Sequence, residues 1–158
     1  MVVQGLLESA GIDSDRKSID APHYDAQRTT WGPTSDIVNM FQDTLVALDW
    51  DLKSVHPLLA KSWKVSEDGK TYTFELKPGL KFASGNPLSA EDVVFSLSRA
   101  VKLNKTPAFI LNQFGLTKET VDQKVRATGP MEVTMTIDKA FAPSMVRRLF
   151  THAARWLA

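Results

Sequence analysis

Three histidines and their neighbouring acids are the residues whose chemistry could turn over a substrate. His23 lies between Asp20 and Asp25. An imidazole with nearby carboxylates is raw material for a proton relay or a metal site. The segment around it is polar, and a solvated loop is the plainer reading. His56 precedes Pro57 as a turn residue would, and His152 lies far along the chain, so the three lack ligand spacing. Arg147, Arg148 and Arg155, the last beside Trp156, could touch nucleic acid or a membrane. Arginines on one side of a terminal helix are more often simply solvated. Trp31 stands out more, within Thr29-Thr30-Trp31-Gly32-Pro33. An aromatic there can stack on a ligand beside backbone amides left open by Gly32. It can equally pack over its own loop. Phosphate-cradling and nucleophile-elbow patterns are absent: Gly79 and Gly85 lead to Asn86, not Lys-Ser or Lys-Thr. Asn104-Lys105-Thr106 matches a glycosylation acceptor, a pattern short enough to arise by chance. With no cysteine, thiolate chemistry and disulfides are excluded. These residues describe a possible binding loop on a scaffold and no catalytic constellation, and they call for no cofactor and no metal.

The scaffold reads as alternating elements. A short strand is expected near residues 2–7. Gly32-Pro33 marks a turn, and Thr34 or Ser35 can cap a helix over 34–43 with Ile37, Met40 and Phe41 at helical spacing. Leu45–Leu48 reads as a strand, and His56-Pro57 as a turn into structure. The clearest local signal is a hairpin over 62–77. Trp63 and Val65 alternate with Ser62 and Lys64, and Tyr72, Phe74 and Leu76 alternate with Thr71, Thr73, Glu75 and Lys77. Period two gives one wet face and one buried face. Asp68-Gly69 supplies the positive φ of the reversal. Pro78-Gly79 and Gly85-Asn86-Pro87 make further turns, and Lys81-Phe82 could extend a third strand.

Ser89-Ala90-Glu91-Asp92 opens a helix over 89–103 with a capping-box spacing, and Val93, Leu97 and Val101 form its apolar stripe. Residues 108–116 could form a short helix. Strands are expected at Val121–Ala127 and Val133–Ile137, split by Thr128-Gly129-Pro130. A final helix is expected over 143–155, apolar at Met145, Val146, Leu149, Phe150 and Ala153.

The chain has 158 residues, 43% hydrophobic and 23% charged, which excludes disordered and collagen-like classes. Lys and Arg number 19 against 18 Asp and Glu, a net +1 that offers no basic excess for nucleic acid. No apolar run approaches a membrane span. The N-terminus reads Met1-Val2-Val3-Gln4-Gly5-Leu6-Leu7-Glu8, without the basic flank and long apolar stretch of a secretion signal.

The stretch from His56 to Phe82, with Pro57-Leu58-Leu59-Ala60-Lys61-Ser62-Trp63 and Asp68-Gly69-Lys70-Thr71-Tyr72-Thr73-Phe74-Glu75-Leu76-Lys77-Pro78-Gly79-Leu80-Lys81-Phe82, resembles the family 5 extracellular solute-binding proteins of ABC importers. Lys77 replaces the family's usual Arg, and Leu80 its Val. Gly85-Asn86-Pro87-Leu88-Ser89-Ala90-Glu91-Asp92-Val93-Val94-Phe95-Ser96-Leu97 continues the likeness, and Asp36–Leu48 resembles the family's first helix and following strand.

The resemblance implies an α/β fold: part of a periplasmic-binding-protein type II-like lobe, a mixed sheet with flanking helices, the second lobe missing. Residues 1–50 would be the N-terminal part of the first lobe and 51–158 a hairpin-and-helix subdomain. It implies a non-catalytic component binding a peptide or similar solute for import, with ABC permease subunits as partners and a periplasmic or extracellular setting. Nickel, haem and sugars are other cargoes of the family. The family's loop before the first helix approaches the ligand, which makes Thr30, Trp31 and Gly32 the ligand-binding candidates here. Because family members are considerably longer, the chain reads as an N-terminal fragment. The expected consequences are weak binding or none and an apolar orphan surface. Two other classes stay open: an interaction module pairing through an exposed strand edge near 121–137, and an enzyme using His23 with Asp25.

Overall fold

Six residues of alternating polarity on each side of a tight turn are enough to start a sheet, and the sheet is built outward from them. The computed structural model describes residues 43–48, 54–82, 84–105 and 108–141. The expected strand near 2–7 and helices at 34–43 and 143–155 lie outside the described residues, save for Asp43, the last position of the first expected helix, which forms a β-bridge instead.

Strands β1 (Val46–Leu48) and β2 (Val55–Pro57) form a two-stranded antiparallel sheet. Strands β3 (Ala60–Val65) and β4 (Thr71–Leu76) follow. Helix α1 (Ala90–Leu103), helix α2 (Ala108–Gln113) and the single turn α3 (Val121–Lys124) lead to β5 (Val125–Gly129) and β6 (Glu132–Thr136). The second sheet has the order β3-β4-β6-β5, with every pair antiparallel. All three helices lie between β4 and β5 in sequence, so the β4–β6 pairing closes a long excursion.

The registers make two apolar rows across this sheet. Trp63 faces Phe74, Phe74 faces Val133, and Val133 faces Ala127; Val65, Tyr72, Met135 and Val125 form the next row. Phe74, Val133, Met135 and Val125 are buried. The opposite face carries Lys64, Thr73, Thr134 and Arg126 in one row. The period-two pattern thus becomes a two-faced sheet. Turn chemistry reverses the hairpin as expected: Gly69 takes φ +67°, and its N–H donates to the Ser66 carbonyl at 2.9 Å. Helix α1 packs on β5 and β6 through Val93, Leu97, Ala100 and Val101. Its start is fixed by Asp92, whose carboxylate accepts from the Ser89 N–H at 2.8 Å and hydroxyl at 2.7 Å. The Ala90 N–H donates to the Pro130 carbonyl at 3.0 Å, tying that start to the β5–β6 turn. Asn104 ends the helix in the left-handed conformation.

The structure alters three expectations. His56-Pro57 belongs to strand β2, and the chain bends after it. Lys81 makes only an isolated bridge to Pro87, because the turn at Gly85 brings the chain straight back. The strand expected at 121–127 begins as helical turn α3 and becomes extended only at Val125.

Phe74 is 1% exposed at the centre of its row. Phe74→Ala should lower unfolding free energy by about 3–5 kcal/mol, the usual cost of such a cavity. Urea denaturation followed by circular dichroism measures it, and a loss below about 1 kcal/mol would show that the row is not the core's centre.

Candidate functional site

The candidate ligand residues Thr30, Trp31 and Gly32 lie outside the described residues, as do Asp20, His23, Asp25, His152 and the three late arginines. What is described is a sheet-and-helix body. Its polar groups can be sorted by what holds them.

His56 is exposed on β2 opposite Ala47. Among the described residues, no group of three His, Asp or Glu side chains could hold a metal ion. The hairpin and capping residues, Asp68, Gly69 and Ser89, serve as turn and helix start. Asp68 Oδ1 accepts from the Ser66 hydroxyl at 2.5 Å and the Lys70 N–H at 3.1 Å. The Ser66 hydroxyl first, then the Lys70 amide, holds that carboxyl below the usual range. Glu75 accepts from Lys61 and Ser62 at 3.0 Å each, and Lys61 chiefly holds its carboxyl low. A hydrogen bond from Thr117 does the same for Glu119. All three are solvent-exposed structural acids, and none lies in a water-excluded site suited to acid–base work.

One polar knot was not legible in the sequence. The Gly115 carbonyl accepts from Lys124 Nζ at 2.7 Å and Thr120 Oγ1 at 2.9 Å. Lys124 also donates to Asp138 Oδ1 at 2.5 Å, and the Asp138 N–H donates to the Phe114 carbonyl at 3.2 Å. Phe114 meets Phe141 with ring centroids 4.6 Å apart. The knot joins the end of α2, the turn α3 and the segment after β6. Gly115 has φ +80°, and a Cβ placed there would lie 1.9 Å from Asp138 Oδ2. Only the glycine hints at the knot from sequence, since Thr120 and Lys124 lie 5 and 9 positions from it without a recognisable motif and Asp138 lies 14 positions beyond Lys124. Its cation and carboxylate are paired with each other, and the cation is also bound to a backbone carbonyl, which is structural work.

Among the described residues, the large apolar side chains left exposed are Val65, Phe95 and Phe109, on β3, α1 and α2 respectively. No helix among the described residues is long and apolar enough to cross a membrane.

The model of the bacterial extracellular solute-binding proteins, family 5 (middle), matches residues 54–157. The chain is 39% identical over 85 residues to the probable D,D-dipeptide-binding periplasmic protein DdpA of Escherichia coli (strain K12), covering 54% of this chain and 15% of that one. It is 37% identical over 105 residues to the nickel-binding periplasmic protein of the same organism, covering 66% and 19%. Among solved structures it is similar to Haemophilus influenzae OppA in complex with RPPGFSPFR, with TM-score 0.73, 25% identity and coverage of 85% of this chain and 28% of that one. The chain therefore spans less than a third of the length of each.

Two outcomes are expected. Gly115→Ala should cost about 1–3 kcal/mol, from a strained left-handed alanine and the displaced Asp138; wild-type stability in urea denaturation would show that the knot gives way easily. Acidification should destabilise the fold. The unfolded chain protonates first, so the stability from Asp68, Glu75 and Glu119 is present above their ordinary values and lost as pH falls through their lower folded ones. The urea midpoint should drop between neutral and strongly acidic pH, and less so in Glu75→Gln.

Proposed function

The chain belongs to the bacterial extracellular solute-binding proteins of family 5, and from that premise we propose that it forms part of the substrate-binding component of an ABC importer, taking a peptide or similar small solute. The family match over residues 54–157 carries the proposal. Relatives named for a dipeptide and for nickel leave the solute class open within that family. In this reading no bond is made or broken.

The ligand contacts proposed are Thr30, Trp31 and Gly32, placed by the family's approach of this loop to its guest. Residues 1–50 then belong to the lobe that carries the loop. Residues 51–158 form the hairpin-and-helix subdomain that braces it. The permease subunits are the proposed docking partners, outside the cytoplasmic membrane. Affinity in such proteins comes from enclosing the solute between two lobes, so one lobe alone supplies a wall without a cover.

The other reading, a module pairing through a strand edge, fares worse. Both edges of the described four-stranded sheet are broken by register shifts, between Ala60 and Ser62 on β3 and between Ala127 and Gly129 on β5. Strand β3 adds Lys61 and Lys64 on its exposed side. Bulges and lysines are the devices that keep edges from pairing.

Calorimetric titration of the chain with a di- to pentapeptide mixture tests the proposal. A saturable signal weaker than micromolar, short of about −8 kcal/mol, is expected. It should disappear in Trp31→Ala. No signal at millimolar peptide together with a saturable signal from a non-peptide solute would overturn the peptide assignment, and micromolar affinity from this chain would overturn the need for a second lobe.

A further inference from the structure

We propose that the Asp68–Gly69 peptide bond is this chain's site of spontaneous isoaspartate formation, and that Ser66 keeps it closed in the folded protein. The sequence holds one Asp-Gly pair and no Asn-Gly pair. Glycine, lacking a Cβ, leaves its own nitrogen unusually open to attack the preceding side chain. Asp68 is exposed in this turn and Gly69 partly so, which lets water reach the carboxyl group.

The chemistry balances without a co-reactant. The Gly69 nitrogen adds to Cγ of the neutral Asp68 carboxylic acid. A nitrogen–carbon bond forms, and the amide proton leaves with the carboxyl hydroxyl as water, giving a cyclic imide. Water then adds back to one of its two carbonyls. When the bond between nitrogen and the main-chain carbonyl of Asp68 breaks, the chain runs on through Cβ and Cγ. Mass is unchanged, and the turn has gained a backbone methylene.

Two requirements are blocked by geometry. The Gly69 N–H must be freed, but it donates to the Ser66 carbonyl at 2.9 Å. The carboxyl carbon must swing onto Gly69 nitrogen, but Asp68 Oδ1 is held forward by the Ser66 hydroxyl at 2.5 Å and the Lys70 N–H at 3.1 Å. The same two bonds favour the ionised carboxylate, which is a poor electrophile. Ser66 thus restrains both partners, and its hydroxyl also accepts from the Thr71 N–H at 2.9 Å. The extra methylene would be costly here. The Ser66 N–H donates to the Thr71 carbonyl at 2.9 Å, and a Cβ on Gly69 would already lie 3.2 Å from that of Ala140. A lengthened turn would lose the first rung of the hairpin.

The whole chain is incubated for weeks at mildly acidic pH and body temperature, folded and in urea. Isoaspartate is read by isoaspartyl methyltransferase labelling and located by electron-transfer fragmentation. The folded chain should accumulate several-fold less at residue 68 than the unfolded one. Ser66→Ala should raise the folded rate several-fold, and Ser66→Thr should restore it. Equal rates in the folded and urea-unfolded chains would overturn the proposal. So would a Ser66→Ala protein with native circular dichroism and an unchanged rate. Should Ser66→Ala fail to fold, the folded-against-urea comparison decides alone.

Discussion

Phe74 touches the consequences of nearly every other element. It lies on β4, an inner strand of the four-stranded sheet, and faces Trp63 on one side and Val133 on the other. Strand β3 reaches it by a five-residue turn, so that contact is cheap in chain entropy. Strand β6 reaches it only after α1, α2, α3 and β5 have been laid down, so that contact closes a loop of nearly sixty residues. Loop closure grows slowly with length, which makes so long an excursion tolerable. Burial of the two apolar rows must still outweigh the ordering of everything between. Helix α1 helps by packing on β5 and β6, the two strands that arrive late, so the excursion brings its own cover.

That arrangement explains which parts were legible in the sequence. The hairpin was readable because its code is local: alternation in Thr71–Leu76, and an Asp-Gly pair at the reversal. Helix α1 was readable for the same reason, through Ser89, Asp92 and the Val93, Leu97, Val101 stripe. The turn α3 was not. Val121-Asp122-Gln123-Lys124 has no apolar periodicity, and a β-branched start suggested a strand. Its helical turn is stapled by Thr120 and Lys124 converging on the Gly115 carbonyl, and Lys124 reaches on to Asp138. Thr120 and Lys124 lie within nine positions of Gly115 but form no periodic pattern, and Asp138 lies 14 positions beyond Lys124, so hydrophobic periodicity does not carry the instruction. His56 misled in the other direction. A histidine before proline reads as a bend, but pairing with β1 keeps it extended and moves the bend to Leu58 and Leu59.

The candidate site was legible only as a resemblance. Nothing in the composition of Thr29–Pro33 requires a ligand, because a tryptophan beside glycine and proline serves a packed loop as well as a stacked guest. The described body contributes a different kind of support. Several of its polar side chains are committed to one another: Glu75 to Lys61 and Ser62, Asp68 to Ser66, Lys124 to Asp138. The pair that the enzymatic alternative would recruit, His23 and Asp25, lies outside the described residues.

The same commitment bears on how such a body could serve binding. A clamp discriminates between guests only if its walls keep their shape when the guest is absent, since a soft wall spends affinity on becoming ordered. The sheet, the capped helix and the Gly115 knot are rigidifying devices, and each acts away from the Thr30–Gly32 loop in sequence. Under the proposed function, stiffness belongs to the described residues of 54–141 and ligand choice to a short loop and whatever faces it. Such a division of labour would let one frame serve relatives named for cargoes as different as a dipeptide and a nickel ion. A frame whose own core depended on the guest could not be reused in that way, because each new cargo would have to rebuild the row through Phe74.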